Sequence, residues 1–326
     1  MSEAHTISVD ITDAFEWPAS FPKQVQQTVS LYLPTELKPP ATVIFFLPGG
    51  GYSRHYFDLR IPANIYPNED DYSQVDFHLR MGRVVVTVDH LCVGDSTVPS
   101  DPFEITQEML AVATASTVNH ILQCLESSET LGLASREEQP KVVGVGQSMG
   151  GAITLAAQAN HSCFDAIAIL AFAVCGTVSV RPSDLPTFDG DKTKSPQPGF
   201  DEQLPTMLDL WFRPDVPQAI IDFDTEGGYP LRDQSPVHGS TTIPPCALRF
   251  IEPYHLSDAA AKISVPVLLA HGDHDVLGAP ATEIMAYENS PKVTHNVIAN
   301  MGHMHNFASS RAAMWSALET WIERSV

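Results

Sequence analysis

The pentapeptide Gly-Gln-Ser-Met-Gly at residues 146–150 contains the serine best suited to nucleophilic chemistry. It follows an apolar run at 141–145 and precedes a run of small residues at 151–157. Between a strand and a helix, this motif forms a tight turn that places the serine hydroxyl above the edge of a sheet, beside the positive end of the helix dipole. The pattern predicts Ser148 as a nucleophile and the backbone N–H of Met149 as a donor to an oxyanion.

A serine hydroxyl is a weak nucleophile at neutral pH and needs a base that a carboxylate orients. Two later segments contain candidates. His-Gly-Asp-His-Asp at 271–275 has both histidine and aspartate, and Gly-His-Met-His at 302–305 has histidine only. Their four histidines and two aspartates are also compatible with a metal site. Zinc, however, needs three or four converging ligands with supporting hydrogen bonds. Because the serine motif accounts for one histidine and one aspartate, we expect no metal and no cofactor.

Three consecutive glycines, Gly49 to Gly51, follow the apolar run at 42–47 and a proline. Glycine lets a backbone turn its N–H groups toward a ligand with no Cβ in the way. We expect either Gly50 or Gly51 to provide a second oxyanion donor, and the adjacent Tyr52 to line the substrate pocket. The nucleotide-binding motifs G-x-x-x-x-G-K-S/T and G-x-G-x-x-G do not occur in this segment, which argues against a phosphate-binding loop.

Short apolar runs alternate with helical patterns along most of the chain. This alternation indicates an α/β fold with a mainly parallel twisted sheet flanked by helices. The predicted strands lie at 29–33, 42–47, 83–88, 141–145, 166–174, 265–270 and 295–299. Apolar residues at helical spacing predict helices over 105–131, near 280–288, and from Ser309 or Ser310 to the C-terminus.

Residues 176–263 interrupt this alternation. They contain twelve of the 26 prolines, together with aromatic residues that look exposed, among them Trp211 and Phe212. Prolines at this density prevent long regular elements, so we expect short helices and loops that form an inserted cap, or lid. The chain is thus divided into a first core part (1–175), the cap (176–263) and a second core part (264–326). We expect Trp211 and Phe212 either at the substrate pocket or in a small core of the cap.

Along the chain come the glycine turn (Gly49 to Gly51), the serine motif (146–150), the insertion, an acid and a histidine. This order resembles that of the α/β-hydrolase superfamily over most of the chain. The glycine turn resembles the HGGG loop of esterases and lipases, with Pro48 in place of the histidine. Residues 88–96 are similar to a D-x-x-G-x-G-S segment of that superfamily, with Cys92 at a position where glycine is common.

The resemblance implies a Ser-Asp-His catalytic triad in that chain order. The family places its acid three residues after a glycine that ends a strand, which indicates Asp275 and leaves Asp273 as the local rival. A Gly-His pair after the last strand indicates His303 as the base, with His305 as the alternative.

The same resemblance implies a serine hydrolase that cleaves a carboxylic ester or a lactone through an acyl-enzyme, with Met149 and the glycine loop forming the oxyanion hole. The residues by themselves imply only acyl transfer. A C–C bond hydrolase and an acyltransferase are alternatives on the same scaffold. A small-molecule receptor that retains the triad is an alternative from another class. Epoxide hydrolases and haloalkane dehalogenases carry aspartate where this chain has Ser148.

The composition restricts the choice of partners. Eighteen basic and 39 acidic residues give a formal net charge of −21. Nucleic acids and anionic membranes attract Lys and Arg patches, so we expect neither as a partner. The chain has no apolar run of about 18 residues, which a membrane span needs, and its N-terminus lacks the basic and apolar regions of a secretory signal. We therefore expect a cytoplasmic protein whose partner is a small neutral or apolar, ester-like molecule.

Overall fold

The computed structural model describes residues 4–38, 40–67, 72–127, 139–176, 208–228, 232, 236–277 and 280–326. Its described strands form one sheet in the order β1-β2-β4-β3-β5-β6-β7-β8. They are β1 (Ala4–Asp10), β2 (Gln26–Tyr32), β3 (Thr42–Leu47), β4 (Val84–Val88), β5 (Lys141–Gln147), β6 (Ala166–Leu170), β7 (Val267–Gly272) and β8 (Val293–Ile298). Strand β2 runs antiparallel to both β1 and β4, and the remaining neighbours are parallel.

The described helices are α1 (Gln74–Arg80), α2 (Gln107–Ser127), α3 (Met149–His161), α4 (Gln218–Asp224), α5 (Ser257–Ala261), α6 (Pro280–Met285) and α7 (Arg311–Ser325). They cover both faces of the sheet. Apolar residues of α2 and α3 pack on one face and those of α1 and α7 on the other. In the part of the chain that the structure describes, no helix is both long and apolar enough to cross a membrane.

Strand β3 shows how the two cores are divided. Val43, Phe45 and Leu47 lie in the core on the α2–α3 side, while Ile44 and Phe46 lie in the core on the α1–α7 side. All five side chains are completely buried. Successive side chains of a strand point to opposite faces, so a parallel strand covered on both sides must be apolar throughout.

The mainly parallel sheet flanked by helices confirms the predicted fold class. The predicted strand at 42–47 has the observed bounds of β3, and the predicted helix at 105–131 is observed as α2 over 107–127. Strand β1 was not predicted. The apolar run at 166–174 was interpreted wholly as strand, but β6 ends at Leu170 because Ala171 adopts a positive φ of 52° and leaves the sheet.

The parallel direction of five adjacent strands determines where the site lies. Strands β3, β5, β6, β7 and β8 all point the same way. Their carboxyl ends therefore meet at one edge of the sheet, which is where ligands bind in open α/β sheets. The glycine turn, the serine motif and the two histidine-containing segments follow β3, β5, β7 and β8 respectively.

Candidate active site

Ser148 lies at the turn between β5 and α3, as the residue that precedes the first turn of the helix. Its backbone has a φ of 52° and a ψ of −119°, a conformation that costs a non-glycine residue free energy. The turn is tight because α3 approaches the end of β3. A side chain on Gly150 would overlap the backbone carbonyl of Leu47. The glycine therefore permits the close approach that holds the serine above the sheet edge.

A chain of hydrogen bonds joins Ser148, His303 and Asp275. His303 Nε2 lies 3.0 Å from Ser148 Oγ, and His303 Nδ1 lies 2.7 Å from Asp275 Oδ1. A carboxylate only accepts hydrogen bonds, so the proton of this imidazole lies on Nδ1 and the Nε2 lone pair faces the serine hydroxyl. The side chains of His303 and Asp275 are 8% and 1% exposed, which shields the hydrogen bonds from water.

Asp275 accepts hydrogen bonds on both carboxylate oxygens. Oδ1 accepts from the backbone N–H of Val276 at 2.7 Å, and Oδ2 accepts from that of Gly272 at 3.4 Å and from His305 Nε2 at 3.2 Å. Burial by itself would raise the pKa of this carboxyl group. The neighbouring His303 and His305 outweigh burial and hold the pKa of Asp275 well below its ordinary value. Asp275 is thus an ionised acceptor with a fixed orientation.

The structure separates the two histidines that the sequence left as rivals. His303 reaches Ser148, whereas His305 contacts the far oxygen of Asp275. His305 is buried, and burial lowers its pKa, so its ring is neutral near pH 7. Its Nε2–H donates to Asp275, and its Nδ1 has no partner among the described residues.

Asp273, the rival of Asp275, has a different set of partners. Its side-chain oxygens accept from the backbone N–H groups of Asn300 at 3.0 Å and Met301 at 3.1 Å, and these hydrogen bonds lower its pKa. The backbone N–H of His274 donates to the Met301 carbonyl at 3.1 Å. Asp273 therefore ties the loop after β7 to the start of the loop that carries His303.

The glycine turn lies directly beside Ser148. A side chain on Gly49 would begin 3.2 Å from Ser148 Cβ. The N–H of Tyr52 donates to the Gly49 carbonyl at 3.3 Å, and Gly51 has a φ of 84°, so the chain makes a β-turn that requires glycine at its third position. Within the described residues, the N–H groups of Gly50, Gly51 and Met149 donate to no turn or loop carbonyl.

Two residues that the sequence analysis did not single out support this edge of the site. His90 Nε2 lies 2.9 Å from the Pro48 carbonyl at the start of the glycine turn, and burial lowers the pKa of His90 to about 4. A neutral His90 can donate that hydrogen bond. Gln147 Nε2 donates to the His303 carbonyl at 3.2 Å. His90 lies two residues after β4 and Gln147 lies directly before the serine, and these positions are the sequence signals that could have indicated them.

The three predicted pocket residues are all buried. Tyr52 is fully buried, and its hydroxyl donates to Asp224 Oδ2 at 2.6 Å. Trp211 and Phe212 are 5% and 4% exposed, so the interpretation of these aromatics as exposed was wrong. The Trp211 carbonyl accepts from the N–H of Met304 at 3.0 Å, and both aromatic side chains belong to the α1–α7 core. Contact between these side chains and a substrate stays a prediction.

His271, another histidine of the metal alternative, pairs with His295. His271 Nδ1 lies 2.7 Å from the Gly272 carbonyl, and its Nε2 lies 2.9 Å from His295 Nε2. Among the described residues, no group of three or more His, Cys, Asp and Glu side chains is arranged to hold a metal ion.

Comparisons with known proteins agree with this geometry at the level of the fold. An esterase from Thermogutta terrifontis superposes with a TM-score of 0.63 at 18% identity, over 98% of this chain and 99% of that chain. A peroxisomal alpha-beta-hydrolase from Saccharomyces cerevisiae gives a TM-score of 0.60 at 15% identity, over 99% and 89%. A bromoperoxidase from Bacillus anthracis gives a TM-score of 0.60 at 17% identity, over 98% and 100%. These identities show a shared fold and nothing finer.

The sequence comparisons give the family. No curated protein matches the chain. The model of the alpha/beta hydrolase family, in contrast, matches residues 44–316, which begin within β3 and include β4 to β8 and all the site residues described above. The match extends over most of the chain, and the protein belongs to the alpha/beta hydrolase family.

Proposed function

We propose that the protein is a serine hydrolase that cleaves a carboxylic ester or a lactone through an acyl-enzyme. One observation carries the proposal: the hydrogen bonds from Ser148 Oγ to His303 at 3.0 Å and from His303 to Asp275 at 2.7 Å. A serine hydroxyl with an imidazole lone pair facing it, and a buried carboxylate behind that imidazole, is the arrangement that activates serine for attack on a carbonyl carbon.

In the first half of the reaction, Ser148 Oγ attacks the carbonyl carbon while His303 Nε2 takes the hydroxyl proton. The C–O bond to the leaving group then breaks, and His303 returns that proton to the leaving oxygen. In the second half, a water molecule gives a proton to His303 and attacks the carbonyl carbon of the acyl-enzyme. The bond from that carbon to Ser148 Oγ then breaks, and His303 returns the proton to Oγ, which releases the acid and restores Ser148. Asp275 stabilises the imidazolium that exists during both halves.

The negative charge of the tetrahedral intermediate needs donors on the side of the substrate opposite the base. The N–H of Met149 is directed by the first turn of α3, where backbone N–H groups have no partner within the helix. The N–H of Gly50 or Gly51 is the second donor in this proposal. Support comes from the position of the glycine turn beside Ser148 and from the free N–H groups of these residues within the described chain.

We also propose that residues 176–263 form a cap that limits substrate size. The stretch lies between β6 and β7, and its described part contains the short helices α4 and α5, whereas residues 177–207 lie outside the described residues. The position of Ile243 favours an apolar substrate, because its side chain lies 3.6 Å from the point where a Cβ on Gly50 would be. An apolar wall beside the oxyanion donors favours a neutral acyl or alcohol group.

The test is turnover of a panel of aryl esters, lactones and thioesters by the wild type and by Ser148→Ala. We expect multiple turnovers by the wild type and a loss of several orders of magnitude in the variant, since removal of the nucleophile disables the whole relay. Ser316→Ala is the matched control, because Ser316 is an exposed serine on α7. Full activity of Ser148→Ala would refute the proposal. Release of a single equivalent of product would indicate the receptor alternative, and acyl transfer to an added alcohol in preference to water would indicate the acyltransferase.

A further inference from the structure

A buried ion pair from the inserted stretch lies behind the glycine turn. The side chains of Arg232 and Asp224 are both 0% exposed. Arg232 Nη2 lies 3.3 Å from Asp224 Oδ1 and donates to the Asp224 backbone carbonyl at 2.8 Å. Tyr52 donates its hydroxyl to the other oxygen of the same carboxylate at 2.6 Å. Burying two ions removes their hydration, so such a pair adds little to stability, and what it positions becomes the question.

The guanidinium group of Arg232 holds one carbonyl of the glycine turn. Its Nη1 donates to the Gly51 carbonyl at 2.5 Å, and the backbone N–H of Ser240 donates to the same oxygen at 2.9 Å. The guanidinium carbon also lies 5.1 Å from the ring centre of Tyr52, the residue that follows Gly51. The charged donor is thus supported from three sides: by Asp224, by Tyr52 and by the carbonyl that it binds.

The surrounding backbone is shaped to admit this arginine. Residues around Gly239 pair with the segment after the glycines, since Gly239 bridges to Tyr52 and the N–H of Ser53 donates to the His238 carbonyl at 3.0 Å. A side chain on Gly239 would begin 2.8 Å from the Arg232 side chain. The inserted stretch therefore reaches the turn by two routes, a backbone pairing and a buried charged side chain.

The Arg232 clamp, which is the hydrogen bond from Arg232 Nη1 to the Gly51 carbonyl, restrains a turn that is flexible by composition. Three successive glycines have the widest choice of backbone angles of any tripeptide, so the turn has little intrinsic rigidity. Oxyanion stabilisation nevertheless depends on donors that are already oriented before the reaction. A peptide unit is planar, so fixing the Gly51 carbonyl also fixes the Tyr52 N–H in the same plane. It restrains the Gly51 Cα as well, to which the Gly51 N–H group is attached. The turn has one internal hydrogen bond, from the Tyr52 N–H to the Gly49 carbonyl. Further restraint comes from outside the turn, where Arg232 and the Ser240 N–H both bind the Gly51 carbonyl.

We propose that Arg232 is the positioning residue of the oxyanion hole, acting through the Gly51 carbonyl. The inference rests on the proposed function, since it concerns the same acyl-transfer site. A positioning role predicts a specific kinetic pattern. Without Arg232 the N–H donors lose their orientation for the tetrahedral intermediate, so kcat falls while substrate binding, and with it KM, changes little. Loss of a whole oxyanion donor lowers kcat by about 10²- to 10³-fold, and we expect a loss of about 10- to 100-fold from mispositioning.

The experiment compares Arg232→Met, which keeps an unbranched stem and removes the guanidinium group, with Arg232→Lys and with Arg249→Met. Arg249 is the matched control, because it lies in the same stretch with a side chain 61% exposed. The readouts are kcat and KM for an aryl ester, and the affinity for phenylboronic acid, which forms a tetrahedral adduct on the nucleophile. For Arg232→Met we expect kcat and boronate affinity to fall together by about tenfold or more, with KM within about threefold. Arg249→Met should match the wild type.

Arg232→Lys keeps the theory testable if the methionine variant does not fold. One ammonium group cannot reproduce the contacts with the Gly51 carbonyl, the Asp224 backbone carbonyl and Asp224 Oδ1 at once, so we expect a partial loss of about threefold to tenfold in kcat. Wild-type kcat in a folded Arg232→Met, or in Arg232→Lys where only that variant folds, would overturn this inference alone. A rise in KM at constant kcat would overturn it as well. Absence of both turnover and boronate binding in the wild type would overturn the proposed function together with it.

Discussion

Replacing Asp275 with asparagine removes one negative charge and changes almost nothing else in shape. The structure determines how the amide will sit. Oδ1 accepts two short hydrogen bonds, from His303 Nδ1 and from the backbone N–H of Val276, and the second of these donors cannot change its character. The amide oxygen therefore takes the Oδ1 position. The NH₂ group faces His305, whose neutral ring can accept by changing tautomer, and loses only the longer hydrogen bond of 3.4 Å from the Gly272 N–H. His303 keeps its proton on Nδ1.

The magnitude follows from the charge that is lost. Two unit charges about 4 Å apart attract by about 4 kcal/mol at an effective dielectric constant of about 20. This attraction stabilises the imidazolium of His303 during the reaction and is absent while the ring is neutral. Its loss raises the barrier by up to that amount, so we expect kcat for ester hydrolysis by Asp275→Asn to fall by about 10²- to 10³-fold. This loss is smaller than the roughly 10⁴-fold loss that follows when such a substitution also imposes the wrong tautomer.

The assay is steady-state hydrolysis of an aryl ester by Asp275→Asn and Asp273→Asn. The second variant carries the same substitution two residues away, on a carboxylate that bonds to the backbone of Asn300 and Met301 and does not reach His303. We expect Asp273→Asn to lose less than about tenfold in kcat, since an amide oxygen can still accept one of the two hydrogen bonds. A larger loss in Asp273→Asn than in Asp275→Asn would refute the reasoning.

Three further predictions concern the surroundings of the relay. Gly150→Ala should abolish hydrolysis or folding, because its Cβ would overlap a carbonyl at the end of β3. Gly50→Ala is the matched control: no atom lies closer than 3.6 Å to its Cβ, so calorimetry should give the wild-type melting temperature. His305→Ala should lower kcat about tenfold by removing one donor to the acid, far less than His303→Ala, and equal losses in the two variants would contradict this. His90 has a pKa lowered from 6.5 to about 4, so the unfolded chain binds a proton there that the folded chain does not. The free energy of unfolding in urea should therefore fall by about 3 kcal/mol as the pH drops from about 6.5 to about 4, and His90→Asn should flatten that slope.

The parts of the fold that sequence patterns predicted are those with one dominant physical requirement. Strand β3 is buried on both faces, so its apolar run has the same bounds as the strand. Strand β1 escaped prediction because it is an edge strand whose side chains are mostly exposed, which leaves no apolar pattern. At 166–174 the run stays apolar through Val174 because the chain remains in the core after it has left the sheet at Ala171.

The residues of the candidate site also fall into those that local sequence patterns predict and those that they do not. Ser148 and the glycines could be predicted because a tight turn and a close backbone approach require particular residue types next to one another in the sequence. The Arg232 clamp could not, since its partner Gly51 is 181 residues away and no local pattern marks the pair. Trp211 and Phe212 were interpreted as exposed because their proline-rich surroundings lack periodicity, yet the core on the α1–α7 side covers both rings. Burial of such residues depends on tertiary packing, which propensity does not encode.

The central claim is that Ser148 is the nucleophile, and covalent capture tests it most directly. A fluorophosphonate reacts with an activated serine and leaves a tetrahedral phosphonyl group in the oxyanion hole. The protein should be incubated with one such probe, digested, and analysed by mass spectrometry to locate the added mass. We predict a single modification on Ser148, which slows by orders of magnitude in His303→Ala. Loss of activity with the modification on another residue, and Ser148 unmodified, would contradict the account.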